Sequence, residues 1–358
     1  MDDRLALLGL NLVEGLGPVK ISSLIAFFGS PLDAWNASLK EVLQVPGIGE
    51  KIAQALLKVK KEKLLERELE LMDKWGISFL TLLDEGYPVL LKEIENHPPV
   101  LYIKGSLKND VLTLAVVGTR KPSPYGRKVA REFSKFLASS GVCIISGLAR
   151  GIDSEAHKGA LEGGGTTYAV LGSGILNLYP PELKGLAEEI ASRGALLSEY
   201  PLFTPPLSGN FPRRNRIISG ISKGVLVVEA PLKSGAMITV SYALDQGRDV
   251  FAVPGSIYSS KSEGPNLLIQ QGAKPALKPE DILEEYGVKM SFAKRDGNIL
   301  DISEEERRIL DKLPVGEVFP IDNLFYDDAN CGKFAIITML ELKGYLKRVE
   351  GNKVIRVK

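Results

Sequence analysis

Cysteine, histidine and tryptophan are scarce, with two of each in 358 residues. Cys143 and Cys331 stand far apart, without paired spacing and without a neighbouring histidine, which excludes a disulfide framework and a zinc site. His97 and His157 are too few for a histidine-rich metal centre. An excess of charge is missing as well. The 45 Lys+Arg against 44 Asp+Glu leave a formal +1, so a nucleic-acid partner has to be argued from local basic clusters. Long apolar runs are absent: nothing approaches the roughly 18 residues of a membrane span. The start, Met1-Asp2-Asp3-Arg4, is acidic where a signal peptide is basic, so a soluble, cytoplasmic protein without membrane partners is expected. Core material is plentiful at 44% hydrophobic residues, and at about 150 residues per domain the length suggests two or three domains.

Periodicity divides the chain. Residues 1–76 read as all-helical, with apolar residues at helical spacing between Gly/Pro breaks. An internal repeat lies within them: Val13-Glu14-Gly15-Leu16-Gly17-Pro18 is echoed by Val45-Pro46-Gly47-Ile48-Gly49-Glu50, each followed by a helix-like run. Two glycines permit a tight turn and leave backbone N–H groups at a helix start, where a phosphate can sit. The second copy looks like a helix-hairpin-helix motif; the first is degenerate, with Ile21 where the motif prefers Ala.

Residues 77–288 change to β/α alternation. Strands are expected at 112–117, 142–146, 167–171, 195–198, 225–229 and 250–253, with helices at 126–139, 154–162, 181–192 and 237–246. Short strands apolar on both faces, alternating with helices, indicate an α/β fold with a doubly wound parallel sheet. The lead-in adds an edge strand at 100–103, and 201–216 reads as a long loop. Residues 289–300 lack periodicity and read as a linker. Residues 301–358 open on a capping box, Ser303 to Glu306, and end on two short strands about Gly351-Asn352, a winged-helix pattern.

In an open α/β sheet, ligands sit beyond the carboxyl ends of the strands. Here that rim carries Gly118-Thr119-Arg120-Lys121, Ser146-Gly147-Leu148-Ala149-Arg150-Gly151, Gly172-Ser173-Gly174, Phe211-Pro212-Arg213-Arg214-Asn215-Arg216 and Lys233-Ser234-Gly235. Glycine lets the backbone approach, turn N–H groups bond phosphate oxygens, and arginine supplies a charged fork. A dinucleotide fingerprint and a Walker loop are both absent, so no cofactor is expected. Asp153 and His157 lack a partnering nucleophile motif and read as structural, with Asp153 or Ser154 as a helix N-cap.

The run Phe211-Pro212-Arg213-Arg214-Asn215-Arg216-Ile217-Ile218-Ser219-Gly220 resembles the signature of the DNA-processing protein A family (DprA/Smf). Gly118-Thr119-Arg120, the 146–157 segment, Leu178-Tyr179-Pro180, the 234–239 segment and the 247–255 segment are similar to that family in the same order. Thr119 stands where Ser is common there, and Leu183-Lys184 where Asn often follows. The resemblance implies a helical N-terminal module, an extended Rossmann-like core and a C-terminal winged helix, the last missing from many members. It also implies a non-enzymatic, homodimeric binder of single-stranded DNA that loads RecA in natural transformation.

The residues themselves allow that reading. Arg120, Lys121, Arg150, Arg213, Arg214, Arg216 and Lys233 supply cations, and Phe211, Tyr179 and Tyr200 are possible platforms for bases. Each arginine has a competing role as partner of a core carboxylate such as Glu229 or Asp153, and the two tyrosines, each before a proline, favour packing. The alternative function is that of the lysine-decarboxylase-like proteins, which hydrolyse nucleoside monophosphates. They need a glutamate on the helix after the phosphate loop, and here no acid follows Ser234-Gly235 before Asp245.

Overall fold

The computed structural model describes residues 1–108, 110–288, 303–314, 316–321, 333–349 and 352–357. The expected linker at 289–300 lies outside the described residues. Two compact units are present, Met1–Lys289 and Met290–Lys358.

The first unit opens with six helices: α1 Asp3–Asn11, α2 Pro18–Phe28, α3 Pro31–Asn36, α4 Leu39–Val42, α5 Glu50–Lys61 and α6 Leu64–Trp75. Nine strands follow: β1 Ile77–Thr81, β2 Val100–Gly105, β3 Thr113–Val117, β4 Cys143–Ser146, β5 Thr167–Val170, β6 Ala195–Ser198, β7 Gly224–Val227, β8 Asp249–Ala252 and β9 Lys274–Pro275. Between and after them run α7 Val89–Lys92, α8 Pro124–Ser139, α9 Ile152–Glu162, α10 Lys184–Arg193, α11 Asn210–Gly220, α12 Gly235–Asp245, α13 Glu263–Gln270 and α14 Glu280–Glu285. All strands join one sheet in the order β1-β2-β6-β5-β4-β3-β7-β8-β9. The strands from β6 to β9 pair in parallel, whereas β2 joins β6 antiparallel and β1 joins β2 antiparallel.

Strands β3 to β7 are buried at every position, as continuous apolar runs in a sheet covered on both faces must be. On one face, residues of α1 to α6, among them Leu7, Leu24, Trp35 and Leu56, form one core with Phe79, Val100, Tyr102, Leu171 and Leu196. On the other, Ile217 and Ile218 of α11 and Val240 of α12 pack on Ala115, Val117, Val225 and Val227. Polar bonds fasten the helical segment to the sheet: Arg4 Nη2 donates to Phe79 O at 2.8 Å, and Asn11 Nδ2 to Glu199 O at 3.1 Å. Leu202 N donates to Glu68 Oε1 at 2.8 Å.

Three differences from the sequence reading are physical. The strand at 100–105 is interior, because Ile77, Phe79 and Thr81 alternate with more exposed residues and form a further edge strand. Residues 210–220 are helical; Pro212 falls in the first turn, where its missing N–H costs nothing. The N-cap of α9 is Gly151 rather than Asp153 or Ser154.

The second unit contains α15 Glu304–Asp311 and α16 Lys333–Leu342 with a three-stranded antiparallel sheet. Its strands are β10 Val318–Pro320, β11 Leu346–Val349 and β12 Lys353–Arg356, in the order β10-β12-β11. The capping box at Ser303 and Glu306 is formed, and Glu306 also holds Lys343 at 2.6 Å. Asn352 takes a left-handed φ of 53° in the turn between β11 and β12.

Candidate nucleic-acid interface

The strand order reverses at β3. From it the chain steps through β4, β5 and β6 on one side, then returns to β7 and β8 on the other. A crevice must open where the loops after β3 and β7 diverge. A cleft of about 880 Å³ lies there. Gly118, Thr119, Arg120 and Lys121 line it from the β3–α8 loop, and Ser234 and Gly235 from the start of α12. Phe211, Arg214, Asn215 and Ile218 line it from one face of α11, at the spacing of successive helical turns.

Buried carboxylates hold the loops. Glu229, 3% exposed, accepts from Ser123 N at 2.8 Å and Ser123 Oγ at 2.5 Å, while its own carbonyl accepts from Thr119 N at 2.7 Å. Ser123 in turn caps α8 through Gly126 N. Asp153 Oδ2 accepts from Gly147 N at 3.2 Å and Ala149 N at 3.4 Å, which curls the β4–α9 loop back on itself. Burial raises the Asp153 pKa, against the opposing pull of Arg214 and the two N–H groups.

The arginines divide into three kinds. Arg214 is 4% exposed and donates through Nη1 to Gly147 O at 2.7 Å and to Val170 O. Its guanidinium occupies the space a Cβ at residue 147 would need, 2.5 Å from that position, so a side chain there would push the guanidinium off the carbonyls it holds. Burial draws its pKa down to about 10, with Asp153 pulling the other way, and it stays charged at neutral pH. Arg216 is also buried, in a two-pronged pair with Glu199 at 2.9 and 2.6 Å. Burial opposes its charge and Glu199 outweighs that, leaving the pKa above its ordinary value. The carboxylate partner is thus Glu199, not Glu229 or Asp153.

Arg120, Lys121, Arg213 and Lys233 are exposed. The Arg120 guanidinium lies over the Phe211 ring at 5.6 Å, and Tyr179 approaches the same ring at 5.9 Å with a 56° tilt. Tyr179, 40% exposed, therefore belongs to the cleft wall rather than to the packing at the sheet's end. Phe211 rests on the backbone at Gly172, where a Cβ would stand 2.8 Å from the ring. Tyr200 is partly buried, its hydroxyl sealed from solvent beside Glu199.

The other expected residues take supporting positions. Ser146 is fully buried and donates to Val116 O at 2.7 Å. Gly147 and Arg150 line a small annex of the cleft, where exposed Arg150 pairs with Glu182. Gly151 packs on the Thr119 and Arg120 backbone, and Gly174 on that of Pro201 and Leu202. Arg213 and Arg216 face a different cavity. Sequence reasoning missed Lys261, which reaches the cleft from the loop after β8 and whose carbonyl accepts from Ala230 N at 2.7 Å. The signal was available, since that loop also leaves the carboxyl end of a core strand.

A profile described as DNA recombination-mediator protein A matches residues 78–287. The chain belongs to the DNA recombination-mediator protein A family. Among curated members of this recombination-mediator family, protein Smf of Escherichia coli K12 is 47% identical over 245 residues, 68% of this chain and 65% of that protein. Protein Smf of Synechocystis is 41% identical over 280 residues, 77% and 70% of the two chains. The crystal structure of DNA processing protein A from Streptococcus pneumoniae is similar at TM-score 0.70 and 34% identity, covering 80% of this chain and 98% of that one. The Helicobacter pylori DNA processing protein A, whose structure describes a single-stranded DNA binding mode, matches at TM-score 0.54 and 29% identity over 59% and 96%. Members of the recombination-mediator family thus share the extended Rossmann-like core described above.

Proposed function

We propose that the protein binds single-stranded DNA in the switch-point cleft and acts as a recombination mediator, loading RecA onto incoming DNA in natural transformation. The observation that carries this reading is the convergence of four separated motifs on one cleft of about 880 Å³, with exposed Arg120 and Lys121 beside Phe211 and Tyr179. Cations that track phosphates and rings that accept bases are the two requirements of sequence-tolerant single-strand binding. Gly118, Thr119, Asn215, Ser234 and Gly235 line the same walls and supply short polar contacts to the backbone of the strand. The single-stranded DNA binding mode described for the Helicobacter pylori relative supports the same ligand.

The carboxylates favour binding over catalysis. Asp153, which lines the cleft, and Glu229, which anchors the β3–α8 loop, are committed to backbone and hydroxyl donors in the loops they hold. Asp245 sits at the far end of α12 from Ser234-Gly235, away from where a hydrolytic glutamate would stand. The protein works as a homodimer in the cytoplasm. Ile257, Tyr258 and Leu277, 80%, 93% and 73% exposed beyond the ends of β8 and β9, support an assembly surface at that sheet edge. No helix among the described residues is long and apolar enough to cross a membrane.

The test is a titration of oligo-dT against duplex of equal length, with release of base or phosphate from nucleoside monophosphates followed in the same samples. Tight oligo-dT binding without turnover is expected. Equal binding of duplex, or hydrolysis, would overturn the reading.

A further inference from the structure

The cleft extends well beyond the switch point. Tyr179 in its wall follows β5, Ala149 follows β4, Arg120 follows β3, Ser234 follows β7 and Lys261 follows β8. Those strands are neighbours in the sheet, in the order β5-β4-β3-β7-β8. Four steps at the usual strand spacing make a trough of about 19 Å across the strand ends. That is the reach of roughly five stacked nucleotides, at about 3.4 Å per phosphate.

The two ends differ in chemistry. At the β5 end stand the rings of Phe211 and Tyr179. At the β8 end stands half-buried Lys261, and no further aromatic ring lines the wall. Asp153 is the one acid among the described lining residues, and the N–H groups of Gly147 and Ala149 already hold it. Arg120, Lys121 and Lys261 form no ion pair among the described residues, so the trough carries uncompensated positive charge. The loop that presents Lys261 is fastened through its backbone. Gly255 N donates to Asn266 Oδ1 at 3.1 Å, and Asn266 Nδ2 donates back to Gly255 O at 3.0 Å. Ala230 N donates to Lys261 O at 2.7 Å, and Ser262 N to Ser259 O at 2.9 Å. None of these bonds uses the Lys261 ammonium, which is left for a ligand on a loop already ordered, and that lowers the cost of binding.

We infer that the single strand lies across the strand ends from β5 to β8, with a base seated at Phe211 and Tyr179 and a phosphate anchored at the far end by Lys261. The inference rests on single-strand binding in the cleft and adds the path of the strand and the residue that ends it. Arg120 and Lys121, from the loop after β3, stand midway and meet the phosphates between the two ends. The tip of the Lys261 loop, Ile257 and Tyr258, lies outside the cleft wall, so anchoring the strand and offering an assembly surface do not compete.

The experiment measures affinity of the full chain for oligo-dT of about 4 to about 16 nucleotides, the span of known single-strand site sizes, as a function of salt. On the longest strand, Lys261→Ala should flatten the slope of log affinity against log salt by about 0.7, which from 1 M down to 0.15 M salt amounts to about a fourfold loss. Lys261→Arg keeps the charge and should restore the wild-type slope. Lys135→Ala, exposed near the end of α8 toward the amino ends of the strands, should match wild type. The Lys261→Ala and wild-type affinities should separate only once the strand exceeds about five nucleotides, the length of the trough. Thermal melting should be unchanged, because the backbone of Lys261 and not its side chain holds the loop. Superimposed salt lines for Lys261→Ala and wild type on the longest strand, or an equal loss at every length bound, would overturn the path. If the Arg120→Ala, Lys121→Ala double variant still binds more weakly in that case, the cleft reading survives. If it too superimposes on wild type, or wild type binds no oligo-dT, the cleft reading itself falls.

Discussion

Replacing Arg214 with alanine separates holding the cleft together from holding its ligand. The guanidinium is 4% exposed, donates to the carbonyls of Gly147 and Val170, and interacts electrostatically with Asp153. Truncation leaves two buried carbonyls, those of Gly147 and Val170, short of a donor. An unsatisfied buried group costs about 1–3 kcal/mol, so for the two carbonyls the total is on the order of 4 kcal/mol. At roughly 2 °C per kcal/mol for a unit of this size, Tm should fall by about 8 °C. Each phosphate neutralised on a single strand contributes about −0.7 to the slope of log affinity against log salt, and that slope should stay at its wild-type value. Arg214→Lys should recover little of the stability, because an ammonium cannot reproduce the fork. Circular-dichroism melting and a salt titration on one preparation give both quantities. An unchanged Tm with a slope flattened by about 0.7 would refute the structural role and return Arg214 to the phosphate contacts.

Gly147→Ala places a methyl group 2.5 Å from the same guanidinium and should lower Tm comparably, as melting will show. Phe211→Ala should weaken oligo-dT binding by about 1–3 kcal/mol in a fluorescence titration, the worth of one stacked base, whereas Phe211→Trp should retain most of it. His157 is fully buried, with Nδ1 2.7 Å from Thr167 Oγ1, and burial pulls its pKa down to about 3. An unfolded histidine titrates near 6.5, so the unfolded chain binds the extra proton between these values. Stability from this group is complete above about pH 6.5 and declines as pH falls toward about 3, by up to about 1.4 kcal/mol per pH unit. Denaturant titrations of His157→Gln should show a shallower pH slope than wild type over that window. Removing residues 1–76 should uncover the apolar sheet face around Phe79, Val100 and Tyr102 and cause aggregation, read by light scattering.

Most of the sheet was legible because its strands are continuous apolar runs between turn residues. The span 195–198 coincides with β6, and the other core strands differ by one or two residues at their ends. Helix α11 was not legible, since Pro212 and the clustered Asn and Arg residues carry loop chemistry, and its helical face appears only when Ile217 and Ile218 meet the sheet. The rim position of the site followed from the rule that ligands gather beyond strand ends. Burial did not follow. Arg213, Arg214 and Arg216 look equivalent in sequence, yet one is exposed, one holds two carbonyls and one grips Glu199. Their fates are set by carboxylates and carbonyls far away in the chain, which spacing does not encode.

The most direct measurement of the central claim is the salt dependence of single-strand affinity for wild type and the Arg120→Ala, Lys121→Ala double variant. Both residues are exposed and line the cleft, so the fold should keep its Tm. If each meets a phosphate, the variant binds more weakly at every salt concentration and its slope is flatter by about 1.4. Two parallel, superimposed lines would contradict the account and move the DNA away from the switch-point cleft.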